Sequence, residues 1–127
     1  EATVGVLNDF RGEDMYALPV VEIVPPKSDV FYSDQNKYDG TTELICPGRF
    51  SYHEKTKLAD AATLVHNVIG CDQYSRSDFI VHDKDIYFLE VNTLPAMTNH
   101  SLFPKGASAV GVGLPELISH LVETETA

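Results

Sequence analysis

The feature that most limits how this chain can fold is a pair of β-rich runs, Tyr74–His82 and Asp85–Asn92, joined by a tight Asp-Lys-Asp turn. Runs this close pair antiparallel, because a parallel return needs a crossover of a dozen residues or more. Side chains alternate along a strand, so Arg76, Asp78, Ile80 and His82 share one face, and Ser77, Phe79 and Val81 the other. In the return strand Ile86, Phe88, Glu90 and Asn92 share a face, opposite Tyr87, Leu89 and Val91. Register decides which faces coincide. A two-residue turn at Asp83-Lys84 sets Asp78 opposite Leu89 and mixes the faces. A three-residue turn, Asp83 to Asp85, sets Asp78 opposite Glu90, Arg76 opposite Asn92, Phe79 opposite Leu89 and Val81 opposite Tyr87. The second register keeps like with like, and it is the one expected.

Two carboxylates facing each other on a half-buried surface repel and raise each other's pKa. A divalent cation turns that cost into a binding site. Oxygen donors from two acids and an amide suit Mg²⁺, which keeps octahedral positions for water or substrate phosphates. Arg76 on the same face can neutralise an anion beside the metal. The same spacing also describes a salt-bridged sheet face in which Arg76 pairs both acids. After Asn92 come Thr93, Pro95, Ala96, Thr98, Asn99, His100 and Ser101, a run too small and polar for a core. Such a loop offers backbone N–H groups and hydroxyls to an anionic substrate or a developing oxyanion. As a sequence pattern it is equally a surface loop.

The rest of the chain frames this hairpin. Ala2–Asn8 reads as a strand, Asp9–Met15 as a turn or loose loop, and Leu18–Val24 as a second strand closed by Pro25-Pro26. Phe31 to Thr42 is a polar, aromatic loop, and Glu43–Cys46 a short third strand. Ser51 and Glu54 form a capping box. Leu58, Ala61, Ala62, Val65, Val68 and Ile69 follow at helical spacing, with Gly70 as the terminating glycine. His53 and His66 are expected to face solvent, and Tyr52 and Tyr74 to pack. Short helices are expected at Pro104–Val110 and Leu114–Val122. Strands, a helix, a hairpin and closing helices make an α+β fold with an antiparallel sheet.

At 127 residues the chain suits one domain with a real core. Nine Lys+Arg against nineteen Asp+Glu give a formal charge of −10, which argues against a nucleic-acid or membrane-surface partner. No apolar run is long enough to cross a bilayer, and no secretory leader is visible. The chain starts at Glu1 without a methionine and is expected to be a piece of something longer. Cys46 and Cys71 lack metal-binding spacing and are expected as reduced thiols, with a disulfide left open.

Taken together, Phe88-Leu-Glu-Val-Asn-Thr-Leu-Pro-Ala-Met-Thr-Asn-His-Ser-Leu102 closely resembles the LLEVNTLPGMTxxSL signature of the D-alanine–D-alanine ligases, in the ATP-grasp superfamily. Arg76-Ser-Asp-Phe79 resembles the family's R-x-D-F strand, and Glu1-Ala-Thr-Val-Gly-Val-Leu7 its E-[FY]-T-V-[GA]-V-L strand. Leu18-Pro-Val-Val-Glu-Ile-Val-Pro25, Phe31-Tyr-Ser-Asp-Gln-Asn-Lys-Tyr38 and Glu43-Leu-Ile-Cys-Pro47 resemble the LPxxEIxP strand, the ω-loop and the strand after it. The resemblance runs through the whole chain in order.

It implies the C-terminal half of an ATP-grasp fold and ATP-dependent joining of two D-alanines through an acyl phosphate, for peptidoglycan, in the cytoplasm. By the family match Asp78, Glu90 and Asn92 hold two Mg²⁺, with Mn²⁺ as a substitute and Glu90 bridging. Arg76 contacts the acyl phosphate, Lys37 the transferring phosphate, and Tyr38 the first D-alanine. Ser101 and Leu102 take the second substrate's carboxylate, Glu1 the ribose hydroxyls, and Phe88 lies beside the nucleotide. Ala96 stands where the family usually has a glycine whose N–H serves the oxyanion site, and alanine resists positive φ. Ser33-Asp34 replaces the usual Asp-Tyr, and the Asp9–Met15 loop looks longer than usual. The family's N-terminal and central parts have no counterpart here. The resemblance implies that they complete the enzyme, that the intact protein is a homodimer, and that this acidic segment alone binds ATP weakly. A degenerate, non-catalytic ATP-grasp module and a ligase for another carboxylate–amine pair are the competing readings.

Overall fold

The computed structural model describes residues 1–25 and 42–126. Lys37, Tyr38 and the whole Phe31–Tyr38 match lie outside the described residues. Among the described residues six strands, β1 (Ala2–Phe10), β2 (Glu13–Ala17), β3 (Val21–Val24), β4 (Glu43–Ile45), β5 (Tyr74–His82) and β6 (Asp85–Asn92), form one sheet. Its order is β4-β3-β1-β5-β6, with β2 also on β1. Every described pairing is antiparallel. Three helices occur among the described residues: α1 (Tyr52–Ile69), α2 (Leu102–Ala109) and α3 (Leu114–Thr126).

Strand β1 is buried without a break from Ala2 to Leu7, because helices cover both faces of the sheet centre. Ala2, Val4 and Val6 meet Leu58 and Ala62 of α1 together with Val20 and Phe79. Leu7 belongs to the opposite core, with Phe103 and Ala107 of α2 and Leu117 of α3. Asp9, in the left-handed region at φ 51°, resets the alternation, so Phe10 joins Leu7 in that second core. Gly5 lies where α2 comes closest: a Cβ there would stand 2.7 Å from Phe103 Cε2.

Helix α1 forms as its sequence signals. Ser51 accepts from the Glu54 N–H at 3.1 Å, and Glu54 accepts from the Ser51 N–H at 2.9 Å. The latter bond holds the Glu54 carboxyl below its usual range. Gly70 ends the helix at φ 80°. The burial pattern departs from expectation at both ends, since Tyr52, Val68 and Ile69 are exposed. His66, expected in solvent, is buried. Its Nδ1 lies 2.6 Å from Ser75 Oγ and its Nε2 2.8 Å from Asn8 Oδ1, so two strands supply partners for a polar residue on the inner face. Tyr74 packs edge-on against Phe103, as expected of it.

Asp9–Met15 is not a loose loop. It is a hairpin pairing Phe10 with Glu13 around Arg11 and Gly12, at φ 51° and 82°. Strand β3 begins only at Val21, three residues late, because Pro19 has no N–H to give the ladder. Helix α2 begins at Leu102, two residues before its expected start. Both cysteines are free thiols, and burial raises the pKa of Cys46. No helix among the described residues is long and apolar enough to cross a membrane.

Candidate functional site

The β5–β6 hairpin resolves the register question in an unexpected way. The turn has two residues, Asp83 and Lys84, both at positive φ (49° and 70°), and pairs His82 with Asp85. Two-residue turns with positive φ at both central residues match the strand twist and are among the commonest hairpin connections. Phe79 therefore opposes Phe88 and Val81 opposes Ile86, rather than Leu89 and Tyr87. A β-bulge between Asp78 and Phe79 then adds one residue to β6. Beyond it Asp78 opposes Glu90 and Arg76 opposes Asn92, as expected. The bulge also separates residues that simple alternation put together. Ile86 and Phe88 turn toward Phe79 and the α1 core, away from the face of Glu90 and Asn92. Bulges commonly re-aim side chains in this way.

Asp78 lies near the centre of the sheet with 5% of its surface exposed. Arg76 grips it with a fork, Nε to Oδ1 at 3.1 Å and Nη2 to Oδ2 at 3.2 Å. The hydroxyl of Thr3, the cross-strand partner of Asp78 in β1, donates to Oδ1 as well. Sequence reasoning gave Thr3 no role; its one signal is a hydroxyl inside an apolar strand. Glu90 is exposed, and among the described residues its side chain makes no hydrogen bond or ion pair. The salt-bridged alternative is thus half realised: Arg76 pairs Asp78 and leaves Glu90 open. Asn92 accepts the Leu94 N–H at Oδ1 (2.9 Å), which starts the following loop.

That loop runs to the N-terminus of α2. Pro95 is buried and Ala96 exposed, and Ala96 is not among the residues at positive φ, so alanine meets no strain there. Ser101 precedes the helix, but its hydroxyl does not cap it. It accepts the Thr98 N–H at 3.1 Å and bonds the Thr98 hydroxyl at 2.5 Å. The first-turn N–H groups of a helix have no acceptor within it, so those of Leu102 and Phe103 gain nothing from Ser101. At the other end Glu1 leads into β1, its carbonyl accepting the Ile23 N–H at 2.9 Å. Strand pairing sets Ala2 level with Phe79 and Phe88, which brings Glu1 and Phe88 to the same end of the sheet.

Asp78, Glu90 and Asn92 offer three oxygen donors on one face, one of them neutral. That set fits a hard divalent cation completed by water or phosphate oxygens. Asp78 would ligate through the lone pairs its present bonds leave free. No group of three or more His, Cys, Asp and Glu that could hold a metal occurs among the described residues; here an amide completes a pair of acids.

Along nearly its whole length the chain is similar to known proteins. The family described as D-ala D-ala ligase C-terminus matches residues 1–123. The D-alanine–D-alanine ligase of Halalkalibacterium halodurans is 44% identical over 125 residues, covering 96% of this chain and 40% of that protein. The D-alanine–D-alanine ligase of Syntrophobacter fumaroxidans is 39% identical over 124 residues, covering 97% of this chain and 39% of the relative. This chain therefore spans about two-fifths of the length of these curated relatives. Among solved structures, the D-alanine–D-alanine ligase of Bacillus anthracis complexed with ATP superposes with a TM-score of 0.74 at 27% identity, over 97% of this chain and 36% of that one. The fold is accordingly the α+β C-terminal portion of an ATP-grasp ligase. With the family match running from the first residue through the hairpin, the loop and α3, the chain belongs to the D-ala D-ala ligase C-terminus family.

Proposed function

We propose that this chain is the metal- and phosphate-facing portion of an ATP-dependent ligase that joins two D-alanines for peptidoglycan precursor synthesis. The observation that carries the reading is one sheet face on which Asp78 opposes Glu90 and Arg76 opposes Asn92, followed by a loop leading to the N-terminus of α2. In the reaction, the carboxylate of the first D-alanine attacks the γ-phosphorus of ATP, giving an acyl phosphate and ADP. The amine of the second D-alanine attacks the acyl carbon, expels phosphate and loses a proton. Phosphoryl transfer is mostly positioning and charge neutralisation.

Asp78, Glu90 and Asn92 would hold two Mg²⁺ (or Mn²⁺), whose chemistry when bound is to offset the negative charge of the phosphate oxygens. Arg76 uses two of its five N–H donors on Asp78, and the other three are available to the acyl phosphate. The N–H of Leu102 and the Ser101 hydroxyl suit the carboxylate of the second D-alanine, since anions are favoured at helix N-termini. The Ala96 N–H would serve the oxyanion of the tetrahedral intermediate. Glu1 would take the ribose, with Phe88 beside the nucleotide. Lys37 would meet the transferring phosphate, and Tyr38 the first D-alanine. The remainder of the enzyme, acting in the cytoplasm as a homodimer, would supply the other phosphate contacts. Without it this segment should bind ATP weakly.

The test is phosphate release by the intact polypeptide that carries this sequence, with ATP and D-alanine. Glu90→Gln should lower the rate on the order of 10²-fold or more. Undiminished turnover would overturn the site assignment. Turnover with a different carboxylate–amine pair that exceeds turnover with D-alanine would instead make this another kind of ATP-grasp ligase.

A further inference from the structure

Thr3 is 1% exposed on the central strand, where an apolar β-branched residue would pack equally well, so its hydroxyl calls for a physical reason. Two acceptors lie within reach, the Ser77 carbonyl at 3.1 Å and Asp78 Oδ1 much closer. A hydroxyl has one hydrogen, and the shorter, charge-assisted contact takes it. Oδ1 then carries two bonds, from Thr3 and from Arg76 Nε, while Oδ2 carries only the one from Arg76 Nη2. A carboxylate oxygen has two lone pairs. Oδ1 is therefore full, and the free capacity of this buried acid is on Oδ2.

We propose that Thr3 is a positioning residue: together with Arg76 it locks the Asp78 carboxylate in one orientation, with Oδ1 saturated and Oδ2 left for the cation held with Glu90 and Asn92. The proposal rests on the metal reading above. Replacing a group that orients a ligand from behind typically costs about 10–100-fold in metal affinity. The β-ladder fixes this one, because Thr3 pairs with Asp78 from the side opposite Glu90.

Thr3→Val and Thr3→Ser test it in the intact polypeptide, with Thr3→Ala in place of valine should that variant fail to fold by circular dichroism. Two quantities are read: Mn²⁺ affinity by electron paramagnetic resonance, and solvent exchange of the Arg76 Nε–H by NMR. Thr3→Val should weaken Mn²⁺ binding about 10-fold and speed Arg76 Nε–H exchange by a similar factor, while Thr3→Ser matches the unchanged protein in both. Mn²⁺ binding within about twofold of the unchanged protein, with Arg76 exchange unaltered, would overturn the proposal. Asp78→Asn separates the two readings. Should it bind Mn²⁺ as well as the unchanged protein, the metal reading fails and the Thr3 proposal fails with it. A loss in Asp78→Asn without one in Thr3→Val sinks the Thr3 proposal alone.

Discussion

Replacing His66 with glutamine should flatten the loss of stability on acidification. His66 is 1% exposed, with Nδ1 2.6 Å from the Ser75 hydroxyl and Nε2 2.8 Å from Asn8 Oδ1. The neutral ring protonated on Nε2 satisfies both partners: it donates to Asn8 and accepts from Ser75. A second proton would place a charge in the core and remove the acceptor Ser75 uses, and burial lowers the pKa below the ordinary 6.5. The unfolded chain takes up that proton below about pH 6.5 and the native state resists it, so stability falls as pH drops through this range. Full exclusion costs 1.36 kcal/mol per pH unit well below that value. Between pH 7.5 and 5.0 the loss is at most about 2 kcal/mol. Asp9 and Asp14 line the same surface opening as His66. His66→Gln should lower stability by about 1–3 kcal/mol at pH 7.5, through poorer partners for Ser75 and Asn8. It should also remove the histidine's share of the slope. Urea unfolding at pH 7.5, 6.5, 5.5 and 5.0 measures both, and parallel curves for the two proteins would refute the reasoning.

Gly5→Ala should destabilise the fold by about 1–3 kcal/mol, because the new methyl would meet Phe103 Cε2 at 2.7 Å and Leu18 Cδ1 at 3.0 Å. The urea midpoint measures this, and Phe103→Leu in the same chain should recover part of the loss. Arg76→Met should cost about 3–5 kcal/mol, since it strips the fork from a carboxylate whose side chain is 8% exposed. Adding Asp78→Asn to that variant should restore much of the stability, and a double variant as unstable as the single one would contradict the account.

What could be read in advance follows from how locally each feature is determined. Helix α1 was legible because Ser51, Glu54 and Gly70 satisfy its ends from within the segment. The facing of Asp78 with Glu90 was legible because both ends of the hairpin are close in sequence. The route to that facing was not. The turn has two residues while the Asp78–Glu90 end has the register of three, and a bulge lets both hold at once, which alternation alone cannot reveal. His66 was misread because its partners, Ser75 and Asn8, lie on two strands that only the tertiary fold brings together. The placement of Thr3 on Asp78 likewise depends on the β1–β5 ladder, 75 residues apart in the chain. The site roles came from resemblance, because residue types and spacing alone also describe a salt-bridged sheet face.

The central claim is that Asp78, Glu90 and Asn92 form a divalent-cation site. Crystals of the intact polypeptide grown with Mn²⁺ and a non-hydrolysable ATP analogue test it most directly, through the anomalous scattering of manganese. The account predicts metal peaks about 2.0–2.3 Å from oxygens of all three side chains, with one peak on each side of Glu90. Manganese bound elsewhere with these three residues bare would contradict it.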